Sequence, residues 1–162
     1  MKKEWYFESE RLQYRSIQLG DTETLVSWRS RPDRIRYYCN PVPITREAHM
    51  EWFRNSYLKD PSRADFLVSD RDTAVGFVAL LHMDQAAGRS EISYTIGNTD
   101  YTGRRLSMEM IRALCLFGKE TFKLKVFTAR IHRDNISSRK AAVSAGFSLK
   151  DSSEIFWEYR KG

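Results

Sequence analysis

Cysteine is nearly absent from this chain, with Cys39 and Cys115 its only two. Two thiols so far apart make neither a disulfide framework nor a zinc site, and no metal is expected. Cys115 lies in an apolar helical stretch and reads as a reduced core residue. Proline and glycine number four and eight and never gather into a linker. No repeat or low-complexity tract interrupts the chain, so residues 1–162 read as one domain. No apolar run approaches the roughly 20 residues of a membrane helix, so no membrane partner is expected. Lys2 and Lys3 are followed at once by Glu4 with no apolar run behind them, which argues against a secretory signal. The expected location is the cytoplasm.

What is present is an ordinary globular balance, 41% hydrophobic and 30% charged, over a length that supports a substantial core. Lys and Arg outnumber Asp and Glu, 27 to 21, for a net charge of +6. That surplus suits nucleic acid, a polyanionic small ligand drawn into a basic cleft, or a merely soluble basic surface. Charge alone does not choose among them; the motifs below turn the choice away from nucleic acid.

Periodicity orders the elements. Residues 11–17 alternate as a strand with Leu12 and Tyr14 inward. Gly20-Asp21 opens a helix carrying Leu25 and Trp28, and Pro32-Asp33 starts a short one through Tyr37 and Tyr38. Pro41-Val42-Pro43 forces an extended stretch. Thr45 is a candidate N-cap for a helix holding Met50, Phe53 and Tyr57 and ending near Asp60-Pro61. Residues 65–69, 74–83 and 90–97 read as strands joined by hairpin turns. A helix follows over Leu106–Thr121, then a strand over Leu124–Ile131. Asn135–Ala145 is a helix stopped by Gly146, and residues 147–160 hold one or two last strands. The order β-α-α-α-β-β-β-α-β-α-β indicates a mixed α/β sheet.

The chemically informative segment spans Asp100 to Phe147. It opens on Thr102-Gly103-Arg104-Arg105-Leu106-Ser107, a glycine-bearing turn at a helix start, where backbone N–H groups and the helix dipole hold phosphate. It ends on Asn135, Ser137, Ser138 and the pair Gly146-Phe147. This segment, together with the element order, resembles the GNAT acetyltransferase superfamily over nearly the whole chain. The resemblance implies a mostly antiparallel mixed sheet flanked by helices. That sheet splays between the fourth and fifth predicted strands, residues 90–97 and Leu124–Ile131. It also implies acetyl-coenzyme A as co-substrate, with the pyrophosphate on Gly103 through Ser107 and Met108, and Asn135 and Ser138 on the coenzyme. Family analogy allows a homodimer.

Against the family's Gln/Arg-x-x-Gly-x-Gly/Ala, Thr102, Arg105 and Ser107 stand at the three specified positions. A negative φ at Arg105 with its side chain outward keeps the N–H groups available, while Arg104 and Arg105 add charge that glycine lacks. The Tyr that protonates the departing thiolate in many relatives is Ala142 here. A thiol with pKa near ~8.5 is a tolerable leaving group without a dedicated acid, and water, Ser137 or Ser138 can serve. Backbone N–H groups near Thr95 and Ile96 are expected to meet the developing oxyanion. For the base, Glu91 and His82 are the candidates. Tyr94 is a candidate acid or acceptor contact.

The acceptor clue is the pattern Trp28-Arg29-x-x-Pro32-x-x-x-Arg36-x-Tyr38 with the later His49-x-x-Trp52-Phe53. It resembles a GNAT branch acting on nucleotide-linked amino sugars, of which the pseudaminic-acid pathway is the best-known type. The resemblance implies an acetyl transfer by direct attack in a ternary complex. In that reading Arg29 and Arg36 bind a nucleotide diphosphate, Trp28, Trp52 or Tyr38 stacks on a ring, and His49 is structural or faces the substrate. The aromatics serve equally as core, and the arginines as surface coat. Ribosomal-protein N-terminal acetyltransferases share the pattern, and a non-catalytic coenzyme A-binding module is the remaining alternative.

Overall fold

The β-rich runs between residues 64 and 96 form one continuous antiparallel meander, because apolar residues there recur on the faces that a sheet buries. In a computed structural model describing residues 2–162, these are β3 (Ala64–Asp70), β4 (Thr73–Asp84) and β5 (Arg89–Ile96). Both hairpin turns are where the sequence puts them, and each uses left-handed backbone, at Arg71 (φ 55°) and Gly88 (φ 70°). Two earlier strands extend the meander: β2 (Gln13–Ser16) pairs with β3, and β1 (Tyr6–Glu8) pairs with β2. β1 was not expected, for three residues are too short to show a period. Its anchor is tertiary: Phe7 stacks on Tyr14 at 4.4 Å and on Phe117 at 4.5 Å.

Beyond β5 lie β6 (Val126–His132), then β8 (Phe156–Lys161), with β7 (Ser148–Asp151) at the edge. β5 and β6 are parallel, which requires a crossover between them. That crossover is α4 (Leu106–Phe122), whose Leu106, Met110, Leu114 and Phe117 are all buried at the spacing read from the sequence. The other face of the sheet carries α1 (Thr22–Arg29) and α3 (Arg46–Asn55), which pack Leu25 and Phe53 with Ile17, Tyr57 and Leu67. Thr45 caps α3, accepting from the Ala48 N–H at 3.1 Å. α2 (Pro32–Ile35) is shorter than expected and gives way to turns at Tyr37 and Tyr38. The last helix, α5 (Ile136–Ser144), is followed by Gly146 at φ 99°. The result is a mixed, mostly antiparallel eight-stranded sheet flanked by helices.

Candidate active site

The parallel pairing of β5 with β6 runs only from Arg89↔Val126 to Glu91↔Thr128. Past that point the two strands separate. Residues 92–96 and 129–132 line a cleft of about 340 Å³ that passes through the sheet. Alternate backbone groups of β5 therefore face the gap without a strand partner. The alternation of β5 also divides its side chains. Ile92, Tyr94 and Ile96 belong to the core under α4, whereas Glu91, Ser93 and Thr95 lie across from Leu81, Ala79 and Phe77, on the side of α1 and α3.

On the α4 side, the helix N-terminus has no side-chain cap, so its first-turn N–H groups lack that partner. Gly103 is left-handed (φ 77°), and so is Arg105 (φ 57°). This corrects the expectation of a negative φ at Arg105, which takes up the backbone conformation a glycine would supply. Arg104 and Arg105 are exposed, with Arg104 stacked on Tyr101 at 4.7 Å. Of this loop and first turn, Ser107 reaches the cleft wall, whereas Gly103, Arg104, Arg105, Leu106 and Met108 lie outside it. Glu109, one negative charge in the first turn, is committed elsewhere. Burial raises its pKa, but hydrogen bonds from Ser9 and from the Arg11 backbone and side chain outweigh that and hold it below the usual range.

Asn135 caps α5, accepting from the Ser138 N–H at 3.3 Å. Across the gap, the Tyr94 hydroxyl donates to the Ser138 carbonyl at 2.9 Å and accepts from the Ser138 hydroxyl at 2.9 Å. Burial pushes the Tyr94 phenol up to about 12, so it keeps its proton at neutral pH. Ala142 is fully buried and has no hydroxyl to offer.

On the opposite side, Glu91 pairs with Arg130 at 3.3 Å at the apex where the strands part. His82 is exposed at the cleft rim on a bulge of β4, with φ 52°. Of the residues expected at the acceptor, Arg29, Tyr38, His49 and Trp52 line this chamber. Two expected contacts do not. Trp28 stacks on Phe77 at 6.2 Å and presses against Gly97, where a Cβ would stand 2.0 Å from its ring. It is half-buried against the Leu25–Phe53 cluster, wedged under the end of β5. Arg36 is exposed over Tyr37 and outside the cleft, and Arg34 lines the wall in its place.

Arg63, Asp65 and His132 also line the cleft, and no motif marks them in the sequence. Arg63 and Asp65 form a two-pronged pair at 2.7 and 3.0 Å, with the guanidinium 4.8 Å from the Trp52 ring. A carboxylate inside the otherwise apolar run Ala64–Val68 was the available signal. His132 accepts the Asp134 N–H on Nδ1 at 3.1 Å, so its neutral form carries the proton on Nε2. It ends a strand that alternates Phe127, Ala129 and Ile131 with Thr128 and Arg130, and no motif marks it.

The sheet thus opens between parallel strands beside a helix N-terminus without a side-chain cap, with a polar chamber on the far face. The acetyltransferase (GNAT) domain model matches residues 11–148, and the chain belongs to that family. It is an N-acetyltransferase that uses acetyl-CoA. Uncharacterized N-acetyltransferase p20 of Bacillus licheniformis is 26% identical over 144 residues, covering 86% of this chain and 80% of that protein. Among solved structures, a ribosomal L7/L12 α-N-protein acetyltransferase in complex with coenzyme A has a TM-score of 0.82 at 14% identity, with 97% of each chain covered. The spermidine N-acetyltransferase of Vibrio cholerae, with coenzyme A and spermine, has a TM-score of 0.80 at 15% identity, with 93% of each covered. At such identities the likeness is one of fold. No helix among the described residues is long and apolar enough to cross a membrane, and no cluster of three or more potential metal ligands occurs among them.

Proposed function

We propose that residues 1–162 act as one cytoplasmic acetyltransferase domain that acetylates the primary amine of a nucleotide-linked amino sugar, by direct attack in a ternary complex. The observation that carries this reading is the passage through the sheet, lined by residues of both the α4–α5 side and the α1–α3 chamber. Such a passage lets both substrates be held at once, which is where most of the rate of a two-substrate reaction arises. The residues present fit the coenzyme: uncapped N–H groups at α4, two loop arginines and the unpaired edge of β5 match a polyanion joined to a strand-like arm. When bound, acetyl-CoA supplies the activated acetyl group.

The chain's own residues then divide the work. Glu91 Oε1, at the apex and facing the acceptor chamber, receives the amine proton through water. The unpaired N–H groups of β5 near Thr95 and Ile96 offer donors where negative charge develops. Tyr94 Oη, on the α5 side, has the proton that Ala142 lacks, and turns it from the Ser138 carbonyl to the leaving sulfur. Tyr38 and Trp52 give the chamber ring surfaces for a sugar or base. A thiol-release assay over three acceptors tests the reading: a 4-amino-sugar nucleotide, a ribosomal-protein N-terminal peptide and spermidine. Release with the nucleotide sugar alone is expected; release only with the peptide transfers the enzyme to the protein-acetylating class.

A further inference from the structure

We propose that Arg29, His49 and Tyr38 form a dedicated anion subsite in the acceptor chamber, which binds a phosphoryl or carboxylate group of the acceptor and excludes polyamines. The first support is three polar groups without partners in one place. His49 is 3% exposed and its Nε2 is buried without a hydrogen bond; Tyr38 Oη is buried likewise. Arg29 forms no ion pair or side-chain hydrogen bond among the described residues, and its guanidinium lies 5.7 Å from the Tyr38 ring. All three line the cleft. Buried polar groups are normally satisfied, so a cluster that can donate and faces a cavity is satisfied by what enters it.

The sign of the missing partner follows from where the nearby carboxylates are spent. Asp65 is held two-pronged by Arg63 at 2.7 and 3.0 Å, and Asp21 is held the same way by Arg15 at 2.9 and 2.8 Å. Neither is left for Arg29. Arg34 adds a second cation to the wall, and Glu91 is paired with Arg130 at the far end. A cationic acceptor tail entering this chamber meets uncompensated positive charge, while an anion meets a planar guanidinium suited to two-pronged binding. Burial first, and then the Arg29 charge, lower the pKa of His49, so the imidazole remains neutral beside Arg29 while the chamber is empty.

This inference rests on the acetyltransferase reading only for assigning the anion to an acceptor. The test is isothermal titration of the full chain held in saturating desulfo-coenzyme A, which fills the coenzyme's own phosphate site and cannot be acylated. Uridine diphosphate, inorganic pyrophosphate and succinate are added in separate titrations. Saturable binding is expected, weakened about tenfold or more by Arg29→Gln and less by Arg29→Lys, with desulfo-coenzyme A affinity unchanged in both variants. Pyrophosphate binding better than succinate identifies a phosphoryl group, and the reverse a carboxylate. Absence of saturable binding by all three anions, or equal binding by Arg29→Gln, overturns the subsite. Failure of desulfo-coenzyme A itself to bind counts against the acetyltransferase reading instead, and the comparison of wild type with Arg29→Gln still decides the subsite.

Discussion

Replacing Arg105 with glycine should stabilise this protein, although it removes a charge from the loop expected to hold phosphate. Arg105 sits at φ 57° and ψ 24° as the residue before α4. That left-handed conformation costs an L-residue with a Cβ about 1–2 kcal/mol. Glycine adopts it freely but has more freedom to lose on folding, which offsets about 0.4–1 kcal/mol of the gain. The net is a stabilisation of about 0.5–1 kcal/mol, or roughly 1–4 °C in Tm for a domain of this size. The coenzyme side moves the other way. An exposed arginine contributes little through solvent, so affinity should fall by no more than about fivefold. Differential scanning calorimetry and titration of coenzyme A read the two effects separately. Arg104→Gly is the control, because Arg104 has no positive φ to relieve, and it should lower Tm. A lower Tm for Arg105→Gly refutes the strain argument. A loss of coenzyme affinity of about 100-fold refutes the claim that backbone N–H groups, rather than this side chain, form the site.

Three further outcomes are expected. Gly97→Ala places a Cβ 2.0 Å from the Trp28 ring and should destabilise by about 1–3 kcal/mol, read by urea denaturation; an unchanged midpoint would mean that Trp28 is not wedged there. Gly103→Ala meets no atom within 4 Å but must hold φ 77°, so it should cost about 1–2 kcal/mol from backbone alone, with the native fold kept by circular dichroism. Glu91→Gln should lower kcat by about 100-fold or more with little change in KM for the acceptor, and a loss expressed only in KM would reassign Glu91 to binding.

The sequence displayed most of the architecture because its elements carry their own period. The amphipathic stretch Leu106–Thr121, the β-branched strand runs and the Thr45 cap all act locally, and all are found. What stayed hidden depends on contacts distant in sequence. β1 exists because Phe7 packs on Tyr14 and Phe117, and no three-residue period reports that. The pattern around Trp28 and Arg36 brought both residues forward as ligands, yet only the folded chain tells a ring wedged on Gly97 from one facing a cleft. The φ of Arg105 is likewise invisible in its side-chain type, since an arginine gives no sign of left-handed backbone. Arg63 and Asp65 lie two apart on one strand face, but their relation to Trp52 is tertiary.

Tyr94 shows how far the geometry constrains the chemistry. A phenol that burial raises to about 12 gives up its proton less readily than a free thiol with a pKa near ~8.5, and each unit of mismatch costs about 1.4 kcal/mol. By exchanging its bond to the Ser138 carbonyl it can still donate to charge developing on sulfur, where a bond to a charged acceptor is worth about 1.5–3 kcal/mol against about 1 kcal/mol for the one given up. Tyr94→Phe should therefore lower kcat by roughly 2- to 30-fold without adding a limb to the pH–rate profile across the neutral range. The same substitution removes one donor and one acceptor from Ser138, so a loss of about 1–3 kcal/mol in stability accompanies it. The two effects separate by temperature: stability falls with the melting midpoint, whereas the kcat deficit persists well below it. A Tyr94→Phe enzyme with wild-type kcat and a lowered midpoint would make the hydroxyl a strut between β5 and α5, and would leave departure of the thiolate to solvent. A deficit that vanishes with a thioester of a more acidic thiol would instead tie the hydroxyl to the leaving group, because a thiolate that is stable by itself needs no donor.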